Sequence, residues 1–161
     1  MQDSSLIRDY GPALAWFVVA VGWYINNKQS NRREKRKEIR ADISEIAKSI
    51  GNALTGLDDA LALGHASDPS GIPYLKITTS LREIDLQLER LLLRKYSDSC
   101  TIHIDTTRDA FEKFFDMISG DKVTDPTLSA GEKDMFKLAT HNAAHVFLDG
   151  LHKLFLSEFD G

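Results

Sequence analysis

The stretch PALAWFVVAVGWYINNKQSNRREKRKEIR, residues 12–40, joins an uncharged apolar run directly to a strongly basic one. No charged residue occurs from Pro12 to Ile25. With the two residues before it, the run covers residues 10–25, which as a helix measures about 24 Å at about 1.5 Å per residue. A bilayer span needs about 17–25 residues, so Leu6 and Ile7 would complete the length. The run therefore predicts a transmembrane helix over about residues 10–25.

Aromatic residues at both ends of the run support this interpretation. Tyr10 precedes it and Trp23 and Tyr24 close it, and amphipathic rings prefer the two membrane interfaces. A cleaved signal peptide is disfavoured, because a positive leading region and a small-x-small cleavage site are missing. A buried core helix is the other alternative for so short a run. We prefer the membrane span.

The basic run sets the expected orientation of the chain. Residues 28–40 carry seven Lys/Arg and two Glu, a net charge of +5, whereas residues 41–161 carry a net charge of −8. The positive-inside rule then predicts an inner-membrane, single-pass protein with the N-terminus outside and the C-terminal domain cytoplasmic. The residues expected at the membrane surface are Lys28, Arg32, Arg33, Lys35, Arg36 and Lys37. A nucleic-acid interpretation of NRREKRK is the alternative, but the acidic body argues against a duplex nucleic acid partner.

Charge and hydropathy divide the chain of 161 residues into three segments. Residues 1–27 form an N-terminal segment with the transmembrane helix, residues 28–40 a basic juxtamembrane collar, and residues 41–161 a cytoplasmic helical bundle. Cys100 is the only cysteine, which excludes an internal disulfide framework and a cysteine-rich zinc module.

The first part of the body has apolar residues at alternating spacings of four and three. No proline occurs between Pro12 and Pro69, so one helix is predicted to run to about Leu63. The stripe is Ile39, Ile43, Ile46, Ile50, Ala53, Leu57 and Ala60. We expect Ile39, Ile43, Ile46, Ile50 and Leu57 to mediate oligomerisation as well as core packing. Isoleucine in both heptad registers favours three or four strands, so the expected assembly is a homotrimer or homotetramer.

Three more amphipathic helices are predicted. One runs from Pro73 to about Tyr96, one over residues 100–119, and one from the S-x-x-E capping pattern of Ser129 and Glu132 to about residue 159. The expected core face of the first of these helices is Ile77, Leu81, Ile84, Leu88 and Leu91. That of the second is Ile104, Phe111, Phe114, Phe115 and Ile118. That of the third is Met135, Phe136, Ala139, Ala143, Val146, Phe147, Gly150 and Leu154. Extra leucines at 86, 92 and 93 suggest that the second helix is central. The predicted fold is all-α: an N-terminal transmembrane helix followed by a four-helix antiparallel cytoplasmic bundle.

Two clusters of polar residues are candidate sites. Basic residues that could clamp an anionic small molecule, such as a cyclic nucleotide, are Arg82, Arg90, Arg94, Lys95 and Arg108. The alternative is ordinary pairing with acids on the same helix. His141, His145 and Asp149 have the spacing of metal ligands on one helical face, but a solvated polar face is preferred, so we predict no metal and no cofactor.

Motifs of catalysis are missing from the sequence. It contains no G-x-x-x-x-G-K-S/T phosphate loop, no G-x-S-x-G elbow and no H-E-x-x-H pair. We therefore expect a protein that is not an enzyme.

The stretch YINNKQSNRREKRKEIR, after a short apolar segment, resembles small bacterial inner-membrane proteins. The plan of one N-terminal span and a helical cytoplasmic domain is similar to certain antiphage effectors, among them CRISPR-associated membrane effectors that bind cyclic oligoadenylate. The resemblance implies a membrane-anchored oligomeric sensor or effector without catalysis, acting in antiphage defence. A passive anchor that recruits a cytoplasmic protein is the alternative, and a metal-binding helical protein is the second alternative.

Overall fold

A computed structural model describes residues 3–63, 72–94 and 96–159; the side chains of residues 3–15 and of Leu63 lie outside that description. Within these ranges the chain is all-helical, with no strand. The helices are α1 (Asp3–Leu63), α2 (Ile72–Leu92), α3 (Thr101–Ser119) and α4 (Ala130–Phe159), with short 3₁₀ turns at Asp98–Cys100 and Asp121–Val123. The chain divides into two compact units, Met1–Glu38 and Ile39–Gly161. The all-α prediction is confirmed.

In the second unit, α1 packs antiparallel to α2. Ser49 Oγ lies 3.2 Å from Glu83 Oε2, and about two turns further along α1 the backbone of Gly56 passes Pro73 and Ile77. A Cβ on Gly56 would lie 3.0 Å from Ile77 Cγ1 and 3.2 Å from the Pro73 carbonyl oxygen. Glycine therefore permits the close approach of these two helices.

The predicted core face of α2 is confirmed. All five of its residues are at most 3% exposed, namely Ile77, Leu81, Ile84, Leu88 and Leu91. Leu86 and Leu93, however, are 55% and 84% exposed, so the prediction that extra leucines make α2 the central helix is wrong for these two. One stripe at helical spacing is enough to cover the core, and leucines off that stripe face water.

Aromatic rings join α3 to α4. The ring centroid of Phe147 lies 5.3 Å from that of Phe111 and 6.4 Å from that of Phe114. Just under one turn further along α4, a Cβ on Gly150 would lie 3.1 Å from Thr107 Oγ1. The predicted α3 face is confirmed for three residues, but Phe115 is 37% exposed.

The predicted core face of α4 is wrong in part. Met135 is 74% and Val146 is 60% exposed, although both were expected in the core. The most buried stripe instead includes Thr140, Ala144 and Leu151. The core face of α4 is thus rotated relative to the face that the apolar spacing indicates.

The N-terminus of α4 has the predicted capping box. The Ser129 backbone N–H donates to Glu132 Oε2 over 2.9 Å, and the Glu132 N–H approaches Ser129 Oγ at 3.4 Å. Hydrogen bonds from the Ser129 hydroxyl and backbone hold the pKa of the Glu132 carboxyl below its usual value. Reciprocal bonds of this kind satisfy backbone donors that a helix start leaves open.

Contacts between α1 and α4 close the bundle. Lys137 Nζ lies 2.9 Å from Asp58 Oδ1, and the Arg40 guanidinium lies 5.2 Å from the Phe155 ring centroid. Because later residues of α1 meet earlier residues of α4, these two helices are also antiparallel. Each helix of the second unit therefore lies beside two antiparallel neighbours.

Candidate functional site

The apolar segment of residues 16–25 is exposed on all sides of α1. All ten of its residues are exposed, and Trp16 and Trp23 reach 75% and 69%. The first residues of the predicted span, 10–15, have side chains outside the described part of the chain. Among described residues, no helix has an apolar segment long enough to cross a bilayer. The predicted transmembrane helix is therefore not confirmed.

Basic residues follow this apolar segment on the same helix. Five of the six predicted membrane-surface residues are exposed and Lys35 is half-buried; the five are Lys28, Arg32, Arg33, Arg36 and Lys37. Trp23, Tyr24 and Ile25 immediately precede them and are exposed as well. The first unit thus presents an apolar surface that changes to a cationic one within a few residues.

The residues predicted to mediate oligomerisation lie in the core of one chain. Four of them are at most 2% exposed, namely Ile39, Ile46, Ile50 and Leu57. Ile43 is partly buried against the same core. Neighbouring helices of the same chain cover this stripe, so the core-packing part of the prediction is confirmed, and its role in oligomerisation stays a prediction.

The five basic residues predicted to bind an anion do not converge. Arg94 Nη2 lies 2.6 Å from Asp42 Oδ2, so its charge is already matched across α1 and α2. Arg82 and Arg90 are exposed, and Lys95 lies outside the described residues.

Arg108 lines a groove of about 350 Å³ between α2 and α3, together with three acids: Asp85, Glu89 and Glu112. The acids outnumber the arginine, so this groove is electrostatically unsuited to a phosphate. The described basic residues therefore form no anion clamp.

The histidine row of α4 is split between two environments. His141 is half-buried, with Nε2 3.8 Å from Asp58 Oδ1, whereas His145 is exposed. Asp149 Oδ2 pairs with Lys153 Nζ over 2.7 Å. Across the described residues there is no group of three metal-binding side chains. The prediction of a wholly solvated row is wrong for His141, which faces α1.

Cys100 belongs to a small polar cluster where α3 begins and α4 ends. Its Sγ lies 3.2 Å from Ser157 Oγ and 3.4 Å from Glu158 Oε2, and its side chain is fully buried. The Ser97 N–H donates to the same Glu158 oxygen over 2.9 Å. Beside the cluster, burial raises the pKa of the Tyr96 hydroxyl. Reactive cysteines are partly exposed, so this arrangement fits a structural contact between the two helices.

Sequence reasoning missed an apolar groove on the outer side of α3 and α4. Two adjoining cavities of about 680 and 400 Å³ share the lining residues Asp116 and Met117. On the α4 side they are lined by Met135, Ala139 and Val146, the residues that the sequence assigns to the core. The available signal was the breadth of apolar residues around α4, which is wider than one core face requires.

No protein-family model matches the chain, and no curated protein or solved structure shows significant similarity to it.

Proposed function

We propose that this chain is a non-enzymatic, membrane-anchored effector whose helical bundle self-associates and couples binding of a partner to the membrane segment. The observation that carries the proposal is the exposure of residues 16–25. Ten consecutive exposed residues surround a helix completely, and most of them are large and apolar. A groove on a protein covers one face of a helix, whereas lipid covers all of them.

The basic residues after this segment support the same interpretation. Anionic headgroups attract nearby Lys and Arg by about 1 kcal/mol each. The charge bias supports an orientation with the bundle in the cytoplasm and the N-terminus outside an inner membrane. Trp23 and Tyr24 then lie at the cytoplasmic interface, where their rings are favoured.

The second unit supplies the binding part of the proposal. The core of this unit is built from residues of a single chain, so the outer faces of its helices remain available for a partner. Its arginines do not assemble around an anion, so the proposal rests on a helical or protein partner rather than on a nucleotide. Coupling to the membrane segment requires that the partner bind two states of the protein with different affinity.

Vesicle flotation of the full-length chain tests the membrane anchor. Wild type is expected to float with phosphatidylethanolamine–phosphatidylglycerol vesicles. Val19→Arg should reduce binding, because a charge in the middle of a span costs about 2.5–3.5 kcal/mol. Leu86→Arg, at an exposed leucine of the bundle, is the matched control and should float like wild type. Wild-type protein left at the bottom of the gradient would contradict the anchor.

The lipid charge is tested separately. Replacing Arg32 and Arg33 by Glu should remove the preference for anionic over neutral vesicles, since lipid surface charge acts on residues near it. Replacing Arg82 and Arg90 by Glu changes the net charge equally and should leave the preference intact. Equal effects of the two double variants would show a non-specific charge effect instead.

A potential-sensitive dye separates an effector from a passive adaptor. Cells with high levels of the wild-type chain should depolarise, and Val19→Arg should abolish the effect. An intact potential at high levels of membrane-bound protein would identify the adaptor.

A further inference from the structure

We infer that the groove between α2 and α3 binds a basic amphipathic helix of a protein partner. The apolar side chains of that helix would lie on the floor of the groove, and its lysines or arginines beside the acidic rim. This inference deepens the partner binding in the proposed function and rests on it in that respect. It names where on the bundle the partner binds and which chemistry the partner presents.

Apolar side chains form the floor and one side of this groove. The floor consists of Leu88 and Phe111, which are 3% and 7% exposed, with the half-buried Leu92 beside them. Leu93 lies at the side of the groove and is 84% exposed, the highest value among the large apolar residues that the structure describes. The Phe115 ring, whose centroid lies 5.9 Å from that of Phe111, extends the apolar surface along α3. A docked helix would cover this surface and remove it from water.

Charged side chains form the rim of the groove, and acids predominate. Asp85 and Glu89 lie on α2 and Glu112 lies on α3, against the single arginine Arg108. Three carboxylates and one guanidinium give the rim a net charge of −2. All four side chains are exposed, and no ion pair among the described residues engages any of them. The carboxylates on both walls are therefore available to a cationic partner.

The rim distinguishes this groove from the larger one between α3 and α4. That groove is lined by two acids, Asp116 and Glu132, and by two lysines, Lys113 and Lys122, so its charges balance. A balanced rim does not select a partner by the sign of its charge, whereas an acidic rim favours a basic one and disfavours an acidic one. Electrostatic complementarity thus identifies the α2–α3 groove as the site and a basic segment as its occupant.

The length and the two walls of the groove suit a helix. The α2 wall extends from Asp85 to Leu93, which is about 12 Å, or about two helical turns. An amphipathic helix presents apolar side chains along one face and charged side chains on both flanks. Its apolar face would cover the floor while its flanks meet Glu89 on one wall and Glu112 on the other. Docking of an amphipathic helix into a groove is a recurring mode of protein recognition.

Binding of a synthetic peptide to the full-length chain in one non-ionic detergent tests the groove. The probe is a fluorescent helical peptide of leucine, alanine and lysine, with leucines on one face and lysines on both flanks. Fluorescence anisotropy, corrected with protein-free detergent, should show saturable binding that weakens as salt is added, because salt screens exposed charges. Peptides with glutamate in place of lysine, or alanine in place of leucine, should bind at least about tenfold more weakly.

Charge reversal in the protein tests the rim. Combining Glu89→Lys with Glu112→Lys should weaken binding of the basic peptide at least about tenfold, because both walls would then repel its lysines. Combining Glu45→Lys with Asp134→Lys changes the net charge equally, at exposed positions of α1 and α4, and should leave binding intact. Circular dichroism should show unchanged helix content in both double variants.

Two exposed leucines test the apolar part of the groove. Leu93→Ser should weaken binding at least about fivefold, because the peptide loses an apolar contact. Leu138→Ser removes a leucine that is 64% exposed on α4, outside the groove, and should bind the peptide like wild type. Equal losses in the two variants would place the apolar contact elsewhere and contradict the inference.

Three further results would overturn the inference: no saturable binding of the basic peptide, binding that the Glu89 and Glu112 reversal leaves unchanged, or equal binding of the acidic or leucine-free peptide. Light scattering adds a fourth, since self-association abolished by the same reversal would show that a second copy occupies the groove. Failure of the groove is distinguishable from failure of the membrane proposal. A chain that floats but does not bind the peptide refutes only the groove, and a chain that binds the peptide but does not float refutes only the anchor.

Discussion

Helix α1 contains apolar residues in both units, and their surroundings are opposite. In the first unit residues 16–25 are exposed throughout, and Trp16 reaches 75%. In the second unit Ile39, Ile46 and Leu57 have no exposed surface. The difference lies in spacing rather than in apolar content. Residues at intervals of three and four form one stripe that neighbouring helices can cover, whereas an unbroken run surrounds the helix. A stripe therefore indicates a bundle, and an unbroken run indicates a different environment.

The largest expected effect on the free energy of unfolding comes from truncating a buried aromatic residue of the bundle. Truncating an exposed aromatic residue of the first unit is the comparison. Phe114 is fully buried and Trp23 is 69% exposed. Phe114→Ala should lower the free energy of unfolding by about 3–5 kcal/mol, through lost burial and the cavity left behind. Trp23→Ala should change it by less than about 0.5 kcal/mol. Hydrogen exchange of α3 and α4 in the full-length chain measures both.

A neighbouring residue provides the control for Phe114. Phe115→Ala removes the same ring from a position that is 37% exposed, so its effect should be clearly smaller. Equal losses for the two variants would mean that burial does not govern stability in this bundle.

The next effect concerns ion pairs within the bundle. The Asp42–Arg94 pair has side chains only 19% and 26% exposed and a separation of 2.6 Å. Asp42→Asn removes the acid that pairs with this half-buried arginine, and should cost about 1–3 kcal/mol in urea unfolding. Asp59→Asn disrupts the more exposed pair with Lys76, 3.7 Å apart, and should cost about 0–1 kcal/mol. A reversed order would contradict the packing of α1 on α2.

Two glycines of α1 test how tightly the bundle packs. A Cβ at Gly51 meets nothing within 4 Å, so Gly51→Ala should stabilise the helix by about 0.5–1 kcal/mol. At Gly56 the same gain is opposed by a steric contact, because the added Cβ would lie 3.2 Å from the Pro73 carbonyl oxygen. This oxygen belongs to the backbone and cannot shift as easily as the end of a side chain. Gly56→Ala should therefore be less stable than Gly51→Ala in thermal unfolding. A Gly56→Ala variant as stable as Gly51→Ala would show that α1 and α2 can move apart.

The smallest effect is electrostatic and lies on the surface of the bundle. Hydrogen bonds from Ser129 depress the pKa of Glu132 below 4.5 in the folded chain. The resulting stabilisation is present above the ordinary carboxyl pKa and is lost as the pH falls through the depressed one. Ser129→Ala should raise the pKa of Glu132 towards 4.5 in an NMR titration, with Ser119→Ala unchanged. An unshifted Glu132 in Ser129→Ala would assign the depression to another group.

Much of the bundle could be predicted, because local rules suffice for it. The five-residue core face of α2 and the capping box of α4 depend on spacings of three and four residues within one helix. The core face of α4 could not be predicted in the same way, since apolar residues occur around most of that helix. Spacing alone does not say which of two apolar faces meets α3, and so Met135 and Val146 were placed on the wrong side.

The candidate sites show the same limit over longer distances. Arg94 and Asp42 are 52 residues apart, and His141 and Asp58 are still further apart. Whether an arginine joins an anion site or pairs with an acid depends on which residues the folded chain brings beside it. A list of basic residues on one helix does not contain that information.

The sequence by itself determined the helices, the apolar and basic character of the first unit, and the absence of known catalytic motifs, because these depend on residue type and short-range spacing. Only the tertiary structure decided that the isoleucine stripe is used within one chain, that the arginines diverge, and that α4 keeps a second apolar face in an open groove. The physical reason is that burial is a property of the neighbours a side chain meets, and in a bundle those neighbours come from distant parts of the chain.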